Sequence, residues 1–210
     1  MSNIKTIGIL GAGKLGITIA RIARHYGFDV NIAGSGDASK IALTAEVLAP
    51  GAVAMSSEDA AKNSDVVVLA LPLGKFRTLP KTALADKIVI DAMNYWWEVD
   101  GRRDEILPST QSSSEAVQEF LNESKVVKAF NHIGYHDLFD GHKPKGEPGR
   151  KAMAIAGDDD QVIEVVSKLV DDLGFDPIVI GKLNKGVKLE AGTKVFGVNV
   201  SAEKLKLLIS

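Results

Sequence analysis

Three glycines near the start of the chain have the spacing G-x-G-x-x-G, in the run Gly11-Ala12-Gly13-Lys14-Leu15-Gly16. In this pattern the first glycine permits a tight turn, the second lets a pyrophosphate approach the backbone, and the third lets a helix pack closely on a strand. Free N–H groups at the start of that helix offer donors and a positive dipole end to phosphates. The run therefore predicts a dinucleotide site. A purely structural turn is the alternative, because short glycine patterns recur by chance.

The segment after the second apolar run bears on which dinucleotide is bound. Folds that bind NAD place Asp or Glu here to accept hydrogen bonds from the adenosine ribose. In this chain Ser35 and Gly36 take that place, Asp37 suits a helix cap, and Lys40 adds a cation one turn later. Small and hydroxyl groups leave room for a 2′-phosphate and no carboxylate repels it, so we expect NADP in preference to NAD.

The ends of three later apolar runs supply candidates for the reacting end of the cofactor site, because ligands lie at the carboxyl ends of parallel strands. The first of these strand ends, at Pro72, is expected to line the nicotinamide ribose. The last, at Asn131 and His132, is expected to lie beside the nicotinamide. There a histidine can donate a proton to a reduced substrate at neutral pH. The candidates are Leu71, Pro72, Leu73, Asn94, Asn131 and His132.

Two other pairs of side chains have types and spacings that suit a functional group. Two roles are open for Trp96 and Trp97: either one of them stacks on a planar substrate, or both anchor a loop or a dimer contact. His132 and His136 have the spacing of helical metal ligands, but no third ligand of comparable quality is present beyond two nearby aspartates, so we expect no metal. The absence of cysteine excludes disulfides, thiolate metal sites and cysteine nucleophiles.

Apolar runs of strand length alternate with amphipathic helical segments along nearly the whole chain. Near-continuous apolar strands predict a mostly parallel sheet buried on both faces, and hence an α/β, Rossmann-like doubly wound fold. The predicted strands are 4–10, 28–34, 51–56, 65–72, 87–94, 125–131, 151–157 and 176–181, and the predicted helices are 14–27, 37–49, 57–63, 113–123 and 159–173.

This pattern predicts one dinucleotide-binding domain over residues 1–181 and a short C-terminal extension over residues 182–210. The extension is apolar enough to pack on the same domain or on a partner subunit. The polar stretch 134–150 contains four glycines and two prolines and follows the carboxyl end of a strand. It is either a surface excursion or a lid over the site.

Charge and hydropathy exclude several classes of partner. The 210 residues include 25 basic and 27 acidic side chains, mixed along the sequence, whereas nucleic-acid binding needs concentrated positive charge. No apolar run approaches the about 20 residues that span a bilayer, and the N-terminal segment lacks the features of a signal peptide. We therefore expect a cytoplasmic protein with no nucleic-acid or membrane partner.

Several motifs, in order, resemble the NADP-dependent deazaflavin-coenzyme (F-420) oxidoreductase family. They are IGILGAGKLG, VNIAGS, SDVVVLALP, VVKAFNHIG and the closing pattern from Met153 to Glu190. The family includes archaeal enzymes that move hydride between NADP and the deazaflavin, many bacterial relatives and the cytoplasmic domain of membrane metalloreductases. The resemblance implies that Ser35 contacts the 2′-phosphate, with Gly36 where the family has arginine. It also implies that Leu71, Pro72 and residues 130–133 line the nicotinamide and a second ring system.

The expected function is an NADP(H)-dependent oxidoreductase, a homodimer, that passes hydride to a flavin-like or deazaflavin acceptor. Two planar rings held at reaction distance need little side-chain catalysis, because orientation supplies most of the effect. Two alternatives remain open from the sequence: a non-catalytic NADP(H) sensor that reports redox state to a partner, and a reductase of another small carbonyl or imine substrate.

Overall fold

The structure, a computed structural model, describes residues 4–108 and 110–210. Its strands form one sheet in the order β3-β2-β1-β4-β5-β6-β7-β8. They are β1 (Thr6–Leu10), β2 (Asp29–Ala33), β3 (Val53–Ala54), β4 (Val66–Leu69), β5 (Ile88–Asp91), β6 (Lys125–Lys128), β7 (Ala152–Gly157) and β8 (Asp176–Gly181). The mostly parallel, Rossmann-like sheet predicted from the apolar runs is confirmed.

Helices cover both faces of the sheet. They are α1 (Lys14–His25), α2 (Ser39–Leu48), α3 (Ser57–Lys62), α4 (Lys81–Leu84), α5 (Trp97–Asp100), α6 (Arg103–Ile106), α7 (Ser113–Phe120), α8 (Tyr135–Gly141), α9 (Asp160–Asp172) and α10 (Ala202–Ile209), with 3₁₀ helices at Leu73–Thr78 and Leu183–Leu189. Among the described residues, no helix is both long enough and apolar enough to cross a bilayer.

The core lies on the two sides of the sheet. Helices α1, α8 and α9 pack on one face, and α3, α4 and α7 pack on the other. Because successive residues of β4 point to opposite faces, Val66 and Val68 enter the first cluster and Val67 and Leu69 enter the second. Burial on both sides explains why this strand reads as an uninterrupted apolar run.

After β3 the chain crosses back to the other side of β1, so the switch point of the sheet lies between β1 and β4. Strands β2 and β3 extend the sheet on one side of β1, and β4 pairs with β1 on the other. A crevice opens at the carboxyl ends of the strands at such a switch point, and ligands of doubly wound folds bind there.

Strand β7 runs antiparallel to β6, with Lys128 opposite Ala156, while β8 runs parallel to β7. The sequence predicts the strand but not its direction. Hydrophobic periodicity reports which faces are buried, and it is the same for either direction of the chain.

The polar stretch 134–150 is fixed to the domain rather than forming one long loop. Its first half forms α8, which packs against α1. Its end is held by Arg150, which is 6% exposed and donates to the carboxylates of Asp171 at 2.7 Å and Asp176 at 2.9 Å. Of the two alternatives, these contacts favour a surface excursion over a lid.

Residues of the segment 182–210 pack on β7. Leu189, Val195 and Leu205 are buried against Ala152 and Ala154 of β7. The 3₁₀ helix at Leu183–Leu189 also contacts α7, which lies beside the carboxyl edge of β5 and β6. The extension therefore comes close to the strand ends that the sequence assigns to the reacting half of the site.

Candidate functional site

The glycine run forms the turn between β1 and α1. Gly11 has φ +123°, and a side chain there would collide with the carbonyl oxygen of Ala70. A methyl group at Gly16 would collide with the carbonyl oxygen of Gly11, whereas a methyl group at Gly13 would meet no described atom within 4 Å. The turn thus needs glycine at two positions for its own folding, and at Gly13 it leaves open space beside the backbone.

The N-terminus of α1 has unsatisfied donors that face this space. The described part of the chain supplies no side chain to cap its Gly13 end and no acid in its first turn. By contrast, α3, α7 and α9 are capped by Ser56, Ser112 and Asp159. A 12-residue helix with a free positive end at a glycine turn is suited to bind an anion such as pyrophosphate.

A cleft of about 770 Å³ extends from this turn along the switch point. Its walls are the glycine turn, the loop after β2, the loop after β4 and the following 3₁₀ helix. Its volume falls within the range of about 300–1,000 Å³ typical of small-molecule sites. The lining includes seven residues that the sequence predicts: Gly11, Ala12, Gly13, Ser35, Gly36, Leu71 and Pro72.

The loop after β2 forms a small, basic corner of the cleft. Gly36 has φ +96°, and the Nζ of Lys40 lies 3.5 Å from where its Cβ would be. In residues 4–108 and 110–210, no carboxylate forms an ion pair with Lys40. The carboxylate of Asp37 instead accepts from the Ser39 N–H at 2.8 Å, and hydrogen bonding to Ser39 lowers the pKa of this carboxyl.

Asn94 and Asn131 meet where β5 and β6 end. The Nδ2 of Asn94 donates to the Asn131 carbonyl at 2.8 Å, and the Nδ2 of Asn131 donates to Asn94 Oδ1 at 3.1 Å and to the Leu189 carbonyl at 2.7 Å. Asn131 is 2% exposed, and its Oδ1 has no hydrogen-bond partner in the described part of the chain. A buried acceptor left unpaired is costly unless a ligand or an ordered water satisfies it.

His132 is almost fully buried beside this pair. Its Nε2 accepts from the Ala154 N–H at 3.0 Å, which assigns the proton to Nδ1. Burial lowers its pKa to about 4, so the ring is neutral at pH 7. Among the described residues Nδ1 has no partner. Asn131 and His132 therefore hold one unpaired acceptor and one unpaired donor, the groups that a carboxamide complements.

The residue before Asn131 has an uncommon backbone conformation. Phe130 has φ +62°, in the left-handed region that disfavours residues with a side chain. Its N–H donates to the Sδ of Met153 at 3.2 Å. Such strain persists only where the surroundings hold it, and it concentrates at functional sites.

The extension contributes residues that sequence reasoning missed. Besides the Leu189 carbonyl, the Gly197 N–H donates to the His132 carbonyl at 2.7 Å. The ring of Phe196 lies 5.6 Å from that of Trp96, edge to face. The apolar composition of segment 182–210 predicts that it is buried or contacts a partner. No sequence feature of the segment predicts its contacts with Asn131 and His132, which lie more than 50 residues earlier in the chain.

The tandem tryptophans follow Asn94 and are both exposed, Trp96 by 47% and Trp97 by 69%. The carboxylate of Asp100 fixes their loop, accepting from the N–H of Trp96 and from that of Gly74, each at 2.8 Å. Trp96 and Phe196 form an aromatic wall, as we call this pair, beside the Asn94–Asn131 pair.

The other eight predicted residues do not line the cleft: Lys14, Leu15, Gly16, Lys40, Leu73, Asn94, Asn131 and His132. Lys14 projects to the other side of the turn, with Nζ 5.3 Å from the ring of Tyr135, and Leu15 packs on the core. Leu73 is fully buried in the second core cluster and supports the wall of the cleft from behind. His136 is exposed in α8, which begins only at Tyr135, so its spacing from His132 is not helical.

Comparisons with known proteins find relatives that match most of the chain. The family described as "NADP oxidoreductase coenzyme F420-dependent" matches residues 6–95. The F420-dependent NADP reductase of Methanocaldococcus jannaschii is 31% identical over 156 residues, covering 70% of this chain and 68% of that protein. Metalloreductase STEAP3 of Rattus norvegicus is 28% identical over 187 residues, covering 88% of this chain and 36% of that protein. The chain thus spans about a third of the length of STEAP3.

A solved structure shares nearly the whole fold. The hypothetical protein SMa0349 from Sinorhizobium meliloti superposes with a TM-score of 0.80 at 25% sequence identity, covering 94% of this chain and 95% of that chain. The shared fold therefore includes most of the C-terminal extension as well as the sheet.

Proposed function

The chain belongs to the coenzyme F420-dependent NADP oxidoreductase family, and we propose that it transfers hydride between NADP(H) and a flavin-like or deazaflavin acceptor at the carboxyl edge of its sheet. One observation carries the proposal. The uncapped N-terminus of α1 lies at one part of this edge, and the unpaired atoms of Asn131 and His132 lie at another. An anion site and a carboxamide site are what the two ends of a nicotinamide dinucleotide need.

Each end of the proposed site has its own residues. The turn at Gly11 and Gly13 would hold the pyrophosphate, and Ser35 and Lys40 would hold the 2′-phosphate. Leu71 and Pro72 would line the nicotinamide ribose. Their place in the cleft wall supports this assignment.

NADPH, when bound, supplies the hydride. The chain would contribute orientation: the two unpaired atoms are an acceptor, Asn131 Oδ1, and a donor, His132 Nδ1–H, and a carboxamide that reached both would be held in one direction. Buried walls exclude water from this end. Burial lowers the pKa of His132 to about 4, so its ring holds no imidazolium proton at neutral pH. His132 would therefore not donate a proton to the substrate, contrary to the role that the sequence suggests.

The acceptor would lie against the aromatic wall. Trp96 keeps about half of its surface exposed although it packs edge to face on Phe196, so its ring is available to a planar partner. Asp100 holds the loop in place in the absence of such a partner. This arrangement favours a stacking role for Trp96 over the purely anchoring role that the sequence left open.

We further propose a cytoplasmic homodimer whose interface includes α10. Leu207 of α10 is 77% exposed, and Val187 is about half exposed next to Lys188, whose Nζ donates to the Ile209 carbonyl of α10 at 2.6 Å. Large apolar side chains grouped on one surface favour association.

Turnover with a panel of acceptors tests the function. We expect the protein to oxidise NADPH with a deazaflavin or with FMN, and saturation by both substrates should separate it from a redox sensor. A protein that binds NADPH tightly and oxidises it with no deazaflavin, flavin or quinone would instead support the sensor.

A further inference from the structure

A fully buried ion pair lies directly beneath the nicotinamide end of the proposed site. Asp91 closes β5 and Lys128 closes β6, and both side chains are 0% exposed. The two residues are also backbone partners in the parallel pairing of these strands. Their charged atoms, Asp91 Oδ2 and Lys128 Nζ, are 3.1 Å apart.

Every strong contact of the pair reaches the loop after β5 or the start of α7. Lys128 Nζ donates to the Met93 carbonyl at 2.7 Å and to Ser113 Oγ at 3.3 Å. Asp91 accepts from the Met93 N–H at 2.9 Å and from Ser114 Oγ at 2.6 Å. The pair thus holds both backbone groups of Met93, the residue before Asn94.

Stability alone is a weak reason for such a pair. Removing two charges from water costs several kcal/mol per ion, and well-packed apolar residues in their place are often as stable or more so. What an ion pair provides beyond apolar packing is direction, because its hydrogen bonds fix the atoms that they join.

Spacing links the pair to the carboxamide site. Asn94 is three residues after Asp91, and Asn131 is three residues after Lys128. The two asparagines then bond each other across the same pair of strands. A shift of either strand end would separate them and move Asn131 Oδ1.

We propose that Asp91 and Lys128 are positioning residues that set the Asn94–Asn131 pair, and through it the orientation of the nicotinamide. This inference rests on the proposed function, since it assigns the nicotinamide to that pair. The ion pair itself touches neither the cofactor nor the acceptor in this account.

Two ligands separate this role from a merely structural one. NADPH uses both ends of the site, whereas 2′,5′-ADP, which lacks the nicotinamide, uses only the adenosine end. We expect Lys128→Met to weaken NADPH binding by about tenfold and to leave the dissociation constant of 2′,5′-ADP within about twofold of wild type, as measured by calorimetry.

Arg150→Met is the matched control. Arg150 is likewise a buried cation with carboxylate partners, but it binds Asp171 of α9 and Asp176 of β8. Its loss should lower the melting temperature and leave the ratio of the two dissociation constants unchanged. An equal ratio in Lys128→Met and Arg150→Met would overturn the inference.

A double variant covers the case in which Lys128→Met fails to fold because Asp91 is left charged and unpaired. Asp91→Asn/Lys128→Met removes both charges, so its melting temperature should recover toward wild type while NADPH binding stays about tenfold weak. Recovery of the binding ratio together with stability would show a structural role only. Wild-type protein that binds NADPH and 2′,5′-ADP with equal affinity would also contradict the inference, because the nicotinamide end would then contribute nothing to binding.

The binding ratio needs no acceptor, which separates this inference from the proposed function. Wild-type protein that oxidises NADPH with no acceptor, but shows the predicted ratio change in the variants, would contradict the proposed reaction alone. Normal turnover with an unchanged ratio would contradict the positioning role alone.

Discussion

A methyl group at Gly13 would enter open space, whereas one at Gly16 would collide with the carbonyl oxygen of Gly11. At the scale of single residues, this contrast separates binding from folding. We expect Gly13→Ala to lower stability by about 1 kcal/mol or less, since it changes only an N-cap with an allowed backbone, and to weaken NADPH binding at least about tenfold. Thermal melting and fluorescence titration measure the two effects.

Gly16→Ala is the counterpart of this variant. Overpacking costs about 1–3 kcal/mol and more where backbone must shift, so Gly16→Ala should melt well below Gly13→Ala. Unchanged NADPH affinity in a folded Gly13→Ala protein would contradict a pyrophosphate at this turn.

The Nζ of Lys40 lies 3.5 Å from where a Cβ at Gly36 would be, in the loop that we propose selects NADP over NAD. Because hydrogen bonds to charged groups contribute about 1.5–3 kcal/mol, Lys40→Gln should weaken NADPH binding about tenfold or more and leave NADH binding nearly unchanged. The control is Lys204→Gln, at an exposed lysine of α10. Equal losses for both dinucleotides would show that Lys40 does not contact the 2′-phosphate.

His132 links stability to pH. Burial lowers its pKa from the ordinary 6.5 to about 4, so between these values the unfolded state binds more protons than the folded state. The free energy of unfolding should therefore fall as pH is lowered from 6.5 to 4, by about 3 kcal/mol from this group. Chemical denaturation across this range measures the slope.

His132→Gln keeps an acceptor for the Ala154 N–H and should flatten that slope. Some slope should remain, because burial and the nearby His25 also lower the pKa of His142. His136→Asn, at an exposed position of α8, should retain the full slope. A wild-type slope in His132→Gln would contradict the burial of a neutral histidine.

At the scale of elements, the sequence predicts what local physics determines. The run from Val66 to Leu69 is apolar without interruption because both faces are buried, and α9 is visible from its helical spacing and from Asp159 as its cap. The glycine turn can be predicted from the sequence because a side chain at Gly11 or Gly16 would collide with a backbone carbonyl oxygen. These features made the fold predictable, and the glycine turn is where we propose that the pyrophosphate binds.

Other elements depend on contacts that are distant in sequence. Helix α8 lies in a charged, glycine-rich stretch and is held by packing on α1. The approach of Phe196 to Trp96 joins segments 100 residues apart. Asp91 and Lys128 read as ordinary charged residues at strand ends, and only strand pairing reveals that they are a buried ion pair.

The aromatic wall can be observed directly, because the chain contains only two tryptophans. Trp97→Phe leaves Trp96 as the sole indole, and Trp96→Phe leaves Trp97. We expect a saturating deazaflavin or FMN to quench the fluorescence of Trp96 strongly and that of Trp97 much less, since Trp96 adjoins the Asn94–Asn131 pair. Equal quenching of both variants would argue against acceptor stacking on Trp96.

At the scale of the whole molecule, the exposed apolar surface at α10 predicts self-association. Light scattering should give twice the chain mass of 22.4 kDa for wild type. Leu207→Lys places a charge at a side chain that is 77% exposed, so it should produce monomers without loss of stability. Wild-type protein that stays monomeric at high concentration would contradict the dimer, although the site within one chain would be unaffected.

Direct hydride transfer at one edge of the sheet is the central step that we propose for the whole molecule. The decisive measurement uses NADPH deuterated at the hydride-donating carbon of its nicotinamide, with a deazaflavin whose accepting atom is a carbon that retains the label. Mass spectrometry of the reduced acceptor should find one deuterium from one face of NADPH in each product molecule. Reduced acceptor that carries only hydrogen from water, or no reduced acceptor under conditions in which NADPH saturates the protein, would contradict the account.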